Sequence, residues 1–251
     1  MNVLSIVIIV FIIVLIIMLV RYMLYDPSIL QGIQNGETSS TIAASSLAEN
    51  SSGVPSSNFA YSIWFYINDW NYRYGEHKVI FGRMGALSDA SAGDVSGISG
   101  ADPCPTVILG AVENNLMVAL GCYPGANEEP TRPGGKTVVH TCGISNIPIQ
   151  KWVNLQISVY GRTMDLYIDG KLVKTCLLPG IANVNNNASV IVTPKGGFDG
   201  WTSNLQYFPN SINPQQAWNI YTKGPGAGGL SNYQLQLSVV ANGTTQGTVT
   251  L

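Results

Sequence analysis

The stretch from Lys151 to Leu177 constrains the fold more than any other, because it holds three consecutive strands and both turns between them. Val153, Leu155, Ile157 and Val159 fall on one face while Asn154, Gln156, Ser158 and Tyr160 fall on the other, a period of two that only an extended chain produces. Gly161-Arg162-Thr163 supplies the first turn, and Met164, Leu166 and Ile168 resume the alternation. Asp169-Gly170 is the dipeptide that a two-residue hairpin with positive φ favours, and Leu172 to Leu177 then runs back. The pattern predicts an antiparallel meander and therefore an all-β domain.

Further strands are expected over 59–67, 77–81, 137–141 and 189–193, with a hairpin of 106–112 and 116–120 around Glu113-Asn114-Asn115. A closing element runs from Gly197 to Tyr207, and a short helix lies near Gln215 to Tyr221. Residues 58–223 read as one globular domain. Residues 26–57 are rich in Ser, Asn, Gly and Ala without a sustained period, so they read as a flexible linker, with at most a short helix around Thr41 to Ala48. If flexible, such a linker spans on the order of 30 Å root-mean-square. Residues 224–251 open with the glycine run Gly224 to Gly229 and continue as an extension whose Tyr233, Leu235, Leu237 and Val239 alternate with polar residues. That strand is expected to complete the sheet or to pair with a neighbour's edge.

Trp152, Leu155, Gly161 and the run Tyr167-Ile168-Asp169-Gly170 followed by Leu172-Val173 resemble the central strands of laminin-G-like and pentraxin-like domains. The opening strand Phe59 to Ile67 and the closing Gly197-Phe198-Asp199-Gly200-Trp201 fit the same superfamily. The resemblance covers roughly residues 58–223 and implies an antiparallel jelly-roll β-sandwich of the concanavalin A-like kind. It marks the fold better than the function.

Val3 to Val20 is a run of 18 residues in which Ser5 is the only polar side chain. As a helix it measures about 27 Å, close to the thickness of a bilayer core, so one N-terminal transmembrane helix is expected within residues 1–25. The stretch before it carries no Lys or Arg, the run is long for a signal peptide, and no A-x-A-like site follows, which favours a retained anchor. Arg21, Tyr22 and Tyr25 stand where an interfacial anchor and aromatic belt belong. A lipid membrane is thus an expected partner and single-pass membrane the expected location.

Charged residues make up 10% of the chain, far below the usual quarter, and the formal net charge is -2. No basic cluster is present to displace counterions, so nucleic acid is excluded as a partner. Catalysis also lacks its parts. The E-x-D-x-x-E strand of related glucanases does not occur, Glu128 and Glu129 sit in a turn-rich loop, and only two histidines are available without a G-x-S-x-G elbow. No cofactor is expected. Asp89, Asp94 and Asp102 in the long loop 84–105 are the candidates for calcium, although their spacing matches no fixed cation loop. The four cysteines have no zinc-like spacing; Cys104 and Cys122 flank one predicted hairpin and are the expected pair if oxidised, with buried free thiols as the alternative.

The candidate ligand or partner contacts are Trp70, Tyr72 and Tyr74, in the aromatic connection after the opening strand. Those rings serve either as stacking surfaces or as a cover over one end of the sandwich. Two functions suit an anchored jelly roll without catalytic carboxylates. The first is a non-catalytic structural protein, because the combination resembles membrane-anchored, lectin-like minor capsid proteins of large DNA viruses; it would link an internal virion membrane to neighbouring shell proteins. The second is a membrane-tethered lectin that binds glycans.

Overall fold

A computed structural model describes residues 11–19, 26–47, 57–83, 103–126, 128–131, 136–226, 236–241 and 244–250. It divides into two units, one of Ser28–Pro225 and the other of Met1–Pro27 with Gly226–Leu251. In chain order the strands are β1 (Ile29–Gln31), β2 (Gln34–Asn35), β3 (Ser40–Ile42), β4 (Phe59–Asp69), β5 (Lys78–Arg83), β6 (Thr106–Leu109), β7 (Asn115–Cys122) and β8 (Val138–Ser145). There follow β9 (Trp152–Tyr160), β10 (Thr163–Ile168), β11 (Lys171–Leu177), β12 (Val190–Val192) and β13 (Asp199–Phe208). A helix at Pro214–Thr222 and the strands β14 (Gln236–Ala241) and β15 (Thr244–Thr250) complete the order.

Two antiparallel sheets make up the larger unit. One has seven strands in the order β1-β13-β4-β9-β10-β11 with β2 also on β13, and the other has six in the order β3-β12-β5-β6-β7-β8. The meander stands as the sequence predicts. Asp169 and Gly170 both have positive φ (50° and 71°), the geometry of the two-residue turn. The alternation in β4 and β9 sends Phe59, Tyr61, Ile63, Phe65, Val153, Leu155, Ile157 and Val159 into a shared core with Phe81, Val107, Val118 and Leu205. The arrangement is a two-sheet sandwich.

The 214–222 helix lies on the opposite face of the seven-stranded sheet. Ala217 and Ile220 of the helix, with Ile212 before it, pack on Ala60 and Tyr167. Sheet side chains hold the cover down: Gln156 Nε2 donates to the Ala217 carbonyl at 2.9 Å and Ser158 Oγ to the Ile212 carbonyl at 3.1 Å. The helix starts on a capping box, with Asn213 Oδ1 accepting from the Gln216 amide at 2.9 Å and Gln216 Oε1 accepting from the Asn213 amide at 2.8 Å.

Three expectations change. Residues 29–42, within the expected linker, instead contribute β1 and β2 to the first sheet and β3 to the second. The strands are two or three residues long, too short to show a period; only a single 3-10 turn, Ala44–Ser46, stands where a short helix was expected. The C-terminal strand joins neither large sheet, because β14 pairs with β15 in a two-stranded sheet of its own. Third, the expected Cys104–Cys122 pair is not the bridge that forms. Cys142 bonds Cys176, while Cys104 and Cys122 are buried free thiols, the alternative reading for those two. The physical reason is strand order: β8 and β11 are the last strands of the two sheets, so their cysteines meet at the same end of the sandwich.

Residues 11–19 are helical, within the predicted membrane span, and Phe11 (67%) and Met18 (70%) are among its exposed side chains. Among the described residues no helix is long and apolar enough to cross a membrane. The remainder of Val3 to Val20, with Arg21, Tyr22 and Tyr25, lies outside the described residues, as do Asp89, Asp94 and Asp102.

Candidate functional site

Of the three predicted contact residues, two use their polar groups internally. Trp70 is half-buried against the core, its Nε1 donates to the Val112 carbonyl at 3.2 Å, and the Lys78 ammonium lies 5.3 Å from its ring. Burial lowers the Lys78 pKa below its ordinary value, with Arg73 acting the same way and Glu76 and Asp69 against it. Tyr72 donates its hydroxyl to the Gly196 carbonyl at 3.1 Å. These bonds tie the β4–β5 connection to neighbouring loops, as Arg73 also does through the Lys195 carbonyl at 2.5 Å. Tyr74 alone is open, at 58% exposure.

A different aromatic group arises from register. Trp201 on β13 is the cross-strand partner of Tyr66 on β4, and Tyr66 is the partner of Trp152 on β9. Directly opposed residues share a face, so three rings from three strands form one row across the seven-stranded sheet. The face is the outer one, since the neighbouring Phe65 and Val153 point into the core. Tyr66 and Trp152 have ring centroids 5.8 Å apart, and Trp201 is 45% exposed. Asn35 of β2 stands beside Trp201 at the end of the row.

The row has a wall on one side and a polar edge on the other. Two residues back along β4, Trp64 is stacked on Tyr221 of the helix at 5.5 Å, and Tyr221 meets Trp218 at 5.4 Å. Two residues forward, Asn68 donates from Nδ2 to Asp199 at 2.8 Å and accepts at its carbonyl from Gln150 Nε2 at 3.4 Å. Aromatic faces with amide and carboxylate groups beside them can stack on a ligand while fixing its hydroxyls, which bond-breaking chemistry does not require.

Gly200 makes this register possible. Its φ is +152°, and an added Cβ would meet the Tyr66 carbonyl oxygen and, at 3.0 Å, the Phe198 ring. Gly200→Ala is therefore expected to cost about 3 kcal/mol and to lift β13 away from β4. Thermal unfolding reads the first effect and the fluorescence of Trp201 the second; an unchanged melting temperature would refute it.

Sequence reasoning missed this row because its members lie 49 to 135 residues apart. A usable signal was present: Trp64, Tyr66 and Trp152 occupy solvent-facing parity in their strands, where polar residues are the rule.

No family model and no curated protein matches the chain. Among solved structures it is similar to the binding domain of botulinum neurotoxin serotype G, at 14% identity and a TM-score of 0.44 over 66% of this chain and 36% of that one. It is also similar to the receptor binding domain of the botulinum neurotoxin C/D mosaic serotype, at 13% identity and a TM-score of 0.49 over 78% and 43% of the two chains. A third is the binding domain of botulinum neurotoxin DC in complex with SialylT, at 14% identity and a TM-score of 0.44 over 66% and 35%. The chain spans less than half the length of each.

Proposed function

We propose that this chain is a non-catalytic glycan-binding protein, tethered to a membrane by its N-terminal apolar segment, with Trp152, Tyr66 and Trp201 as the recognition surface. The observation that carries this reading is the aromatic row itself, three rings in register on an outer sheet face. The surroundings favour a sugar over a protein surface. A protein interface centres on apolar contacts, whereas these rings are flanked by Asn35, Asn68, Gln150 and Asp199. The membrane tether rests on the run Val3 to Val20 and on the exposed apolar side chains of residues 11–19. Of the two functions the sequence suggests, the row supports the lectin rather than the shell subunit.

Trp201→Ala on the full chain is expected to weaken binding to an immobilised glycan panel about tenfold, with the fold unchanged. Tyr74→Ala provides the comparison. Equal loss there, with none at Trp201, would place recognition on the β4–β5 connection and overturn the assignment of the row.

A further inference from the structure

We infer that the row accepts a neutral, extended glycan chain of three consecutive pyranose rings laid across the strands; this rests on the glycan-binding reading above. The geometry starts from register. Trp201, Tyr66 and Trp152 are successive cross-strand partners, so their backbones stand about 4.8 Å apart, the inter-strand spacing. That repeat is close to the length of one sugar unit in an extended, equatorially linked chain. The Tyr66 and Trp152 rings are 5.8 Å apart and tilted by 58°, so a chain laid along the row meets one ring by its face and the next by its edge, one sugar to each ring, and a chain that coils would lift off after the first contact.

The walls agree with this direction. Trp64, stacked on Tyr221, lies on the helix side of the row; on the edge side Asp199, Asn68 and Gln150 stand two residues from Trp201, Tyr66 and Trp152 and are linked by hydrogen bonds. A linear ligand therefore has hydrogen-bonding groups along one flank at every subsite rather than at one end. At one end of the row stands the small polar Asn35, beside Trp201. Charge decides the remaining choice. The polar edge contains the Asp199 carboxylate and two amides, and Lys151, next to Trp152 in the chain, is 3.6 Å from the Asp169 carboxylate. An acidic sugar would meet the Asp199 carboxylate along this flank, and the cation beside the row, Lys151, already has the Asp169 carboxylate as its neighbour.

The test is calorimetric titration of the full chain in a detergent without a sugar headgroup. The probes are β-1,4-linked N-acetylglucosamine oligomers of one to five units, maltooligosaccharides of equal length, and sialyllactose. Affinity is expected to rise with each unit to the trimer and then level, with maltotriose and sialyllactose at least about tenfold weaker. Trp201→Ala should move the plateau from three units to two, and Trp201→Phe should restore it. If sialyllactose or maltotriose binds more tightly than the trimer and Trp201→Ala still abolishes that binding, glycan recognition by the row stands and the neutral extended class is wrong. If affinity does not depend on length, the three-subsite arrangement fails in the same way. If no sugar binds to the folded wild-type chain, both readings fall together.

Discussion

Replacing Cys142 and Cys176 together by serine is expected to lower the stability of the sandwich by about 4 kcal/mol, the chain-entropy value for a bridge that closes a loop of 34 residues. The effect is large because of where the bridge lies. Cys142 is on β8 and Cys176 on β11, the terminal strands of the two sheets. Almost every residue of β11 is exposed, so the strand has little buried surface to hold it once the bridge is gone. Lys174 Nζ also donates to the Gly143 carbonyl of β8 at 2.7 Å. Urea denaturation of the wild type, the reduced wild type and the double serine variant measures this directly. Reduction should move the wild-type midpoint onto that of the variant, and coincident midpoints in all three samples would show that the bridge contributes nothing. Proteolysis gives a second readout, since β11 should be cut first in the reduced protein while β9 stays protected.

The residues that made parts of this fold legible differ from those that hid the rest in a definite way. β9, β10 and the turn at Asp169-Gly170 were readable because one segment carries its whole signal: alternation, turn dipeptide, alternation again. The helix expected near Gln215 to Tyr221 is present as Pro214–Thr222, and the capping box that starts it, Asn213 with Gln216, is likewise local. What escaped is information that arises only when distant segments meet. β1 to β3 gain their conformation from β13 and β12, and their own two or three residues hold no period. The bridge from Cys142 to Cys176 needs the order of strands in both sheets before it can be foreseen. The aromatic row needs register as well as order, and a shift of one residue in β13 would turn Trp201 into the core. Trp70 and Tyr72 drew attention through local density of rings, yet local density is also what a loop needs to seal the end of a sandwich. Their hydrogen bonds to Val112 and Gly196 show that sealing in place.

Alkaline solution is expected to unfold this domain through its buried acids, beginning near pH 9. Burial pushes the Cys104 thiol up to about 11 and the Cys122 thiol up to about 12, from an ordinary value of 9.0. Below pH 9 both thiols are neutral whether the chain is folded or not, so their share of stability is fully present. As pH rises above 9 the unfolded chain loses these protons first and is favoured by every further step, until the folded thiols ionise too. At about 1.4 kcal/mol per unit, Cys104 alone withdraws roughly 3 kcal/mol across its window. Tyr61 has the same sign but enters above pH 10, since burial raises its hydroxyl far beyond the ordinary range despite the nearby Arg83. Lys78 has the opposite sign, and its contribution is complete by its ordinary value of 10.5, so it cannot reverse the fall above that point. Denaturant midpoints for the wild type and for the Cys104→Ala, Cys122→Ala variant, taken between pH 8 and 11, separate these terms. The alanines lower stability by a constant offset for lost packing, while the slope with pH above 9 should become shallower. Equal slopes in the two proteins would mean that the thiols are not buried as placed here, and that the alkaline limit belongs to Tyr61 and its neighbours.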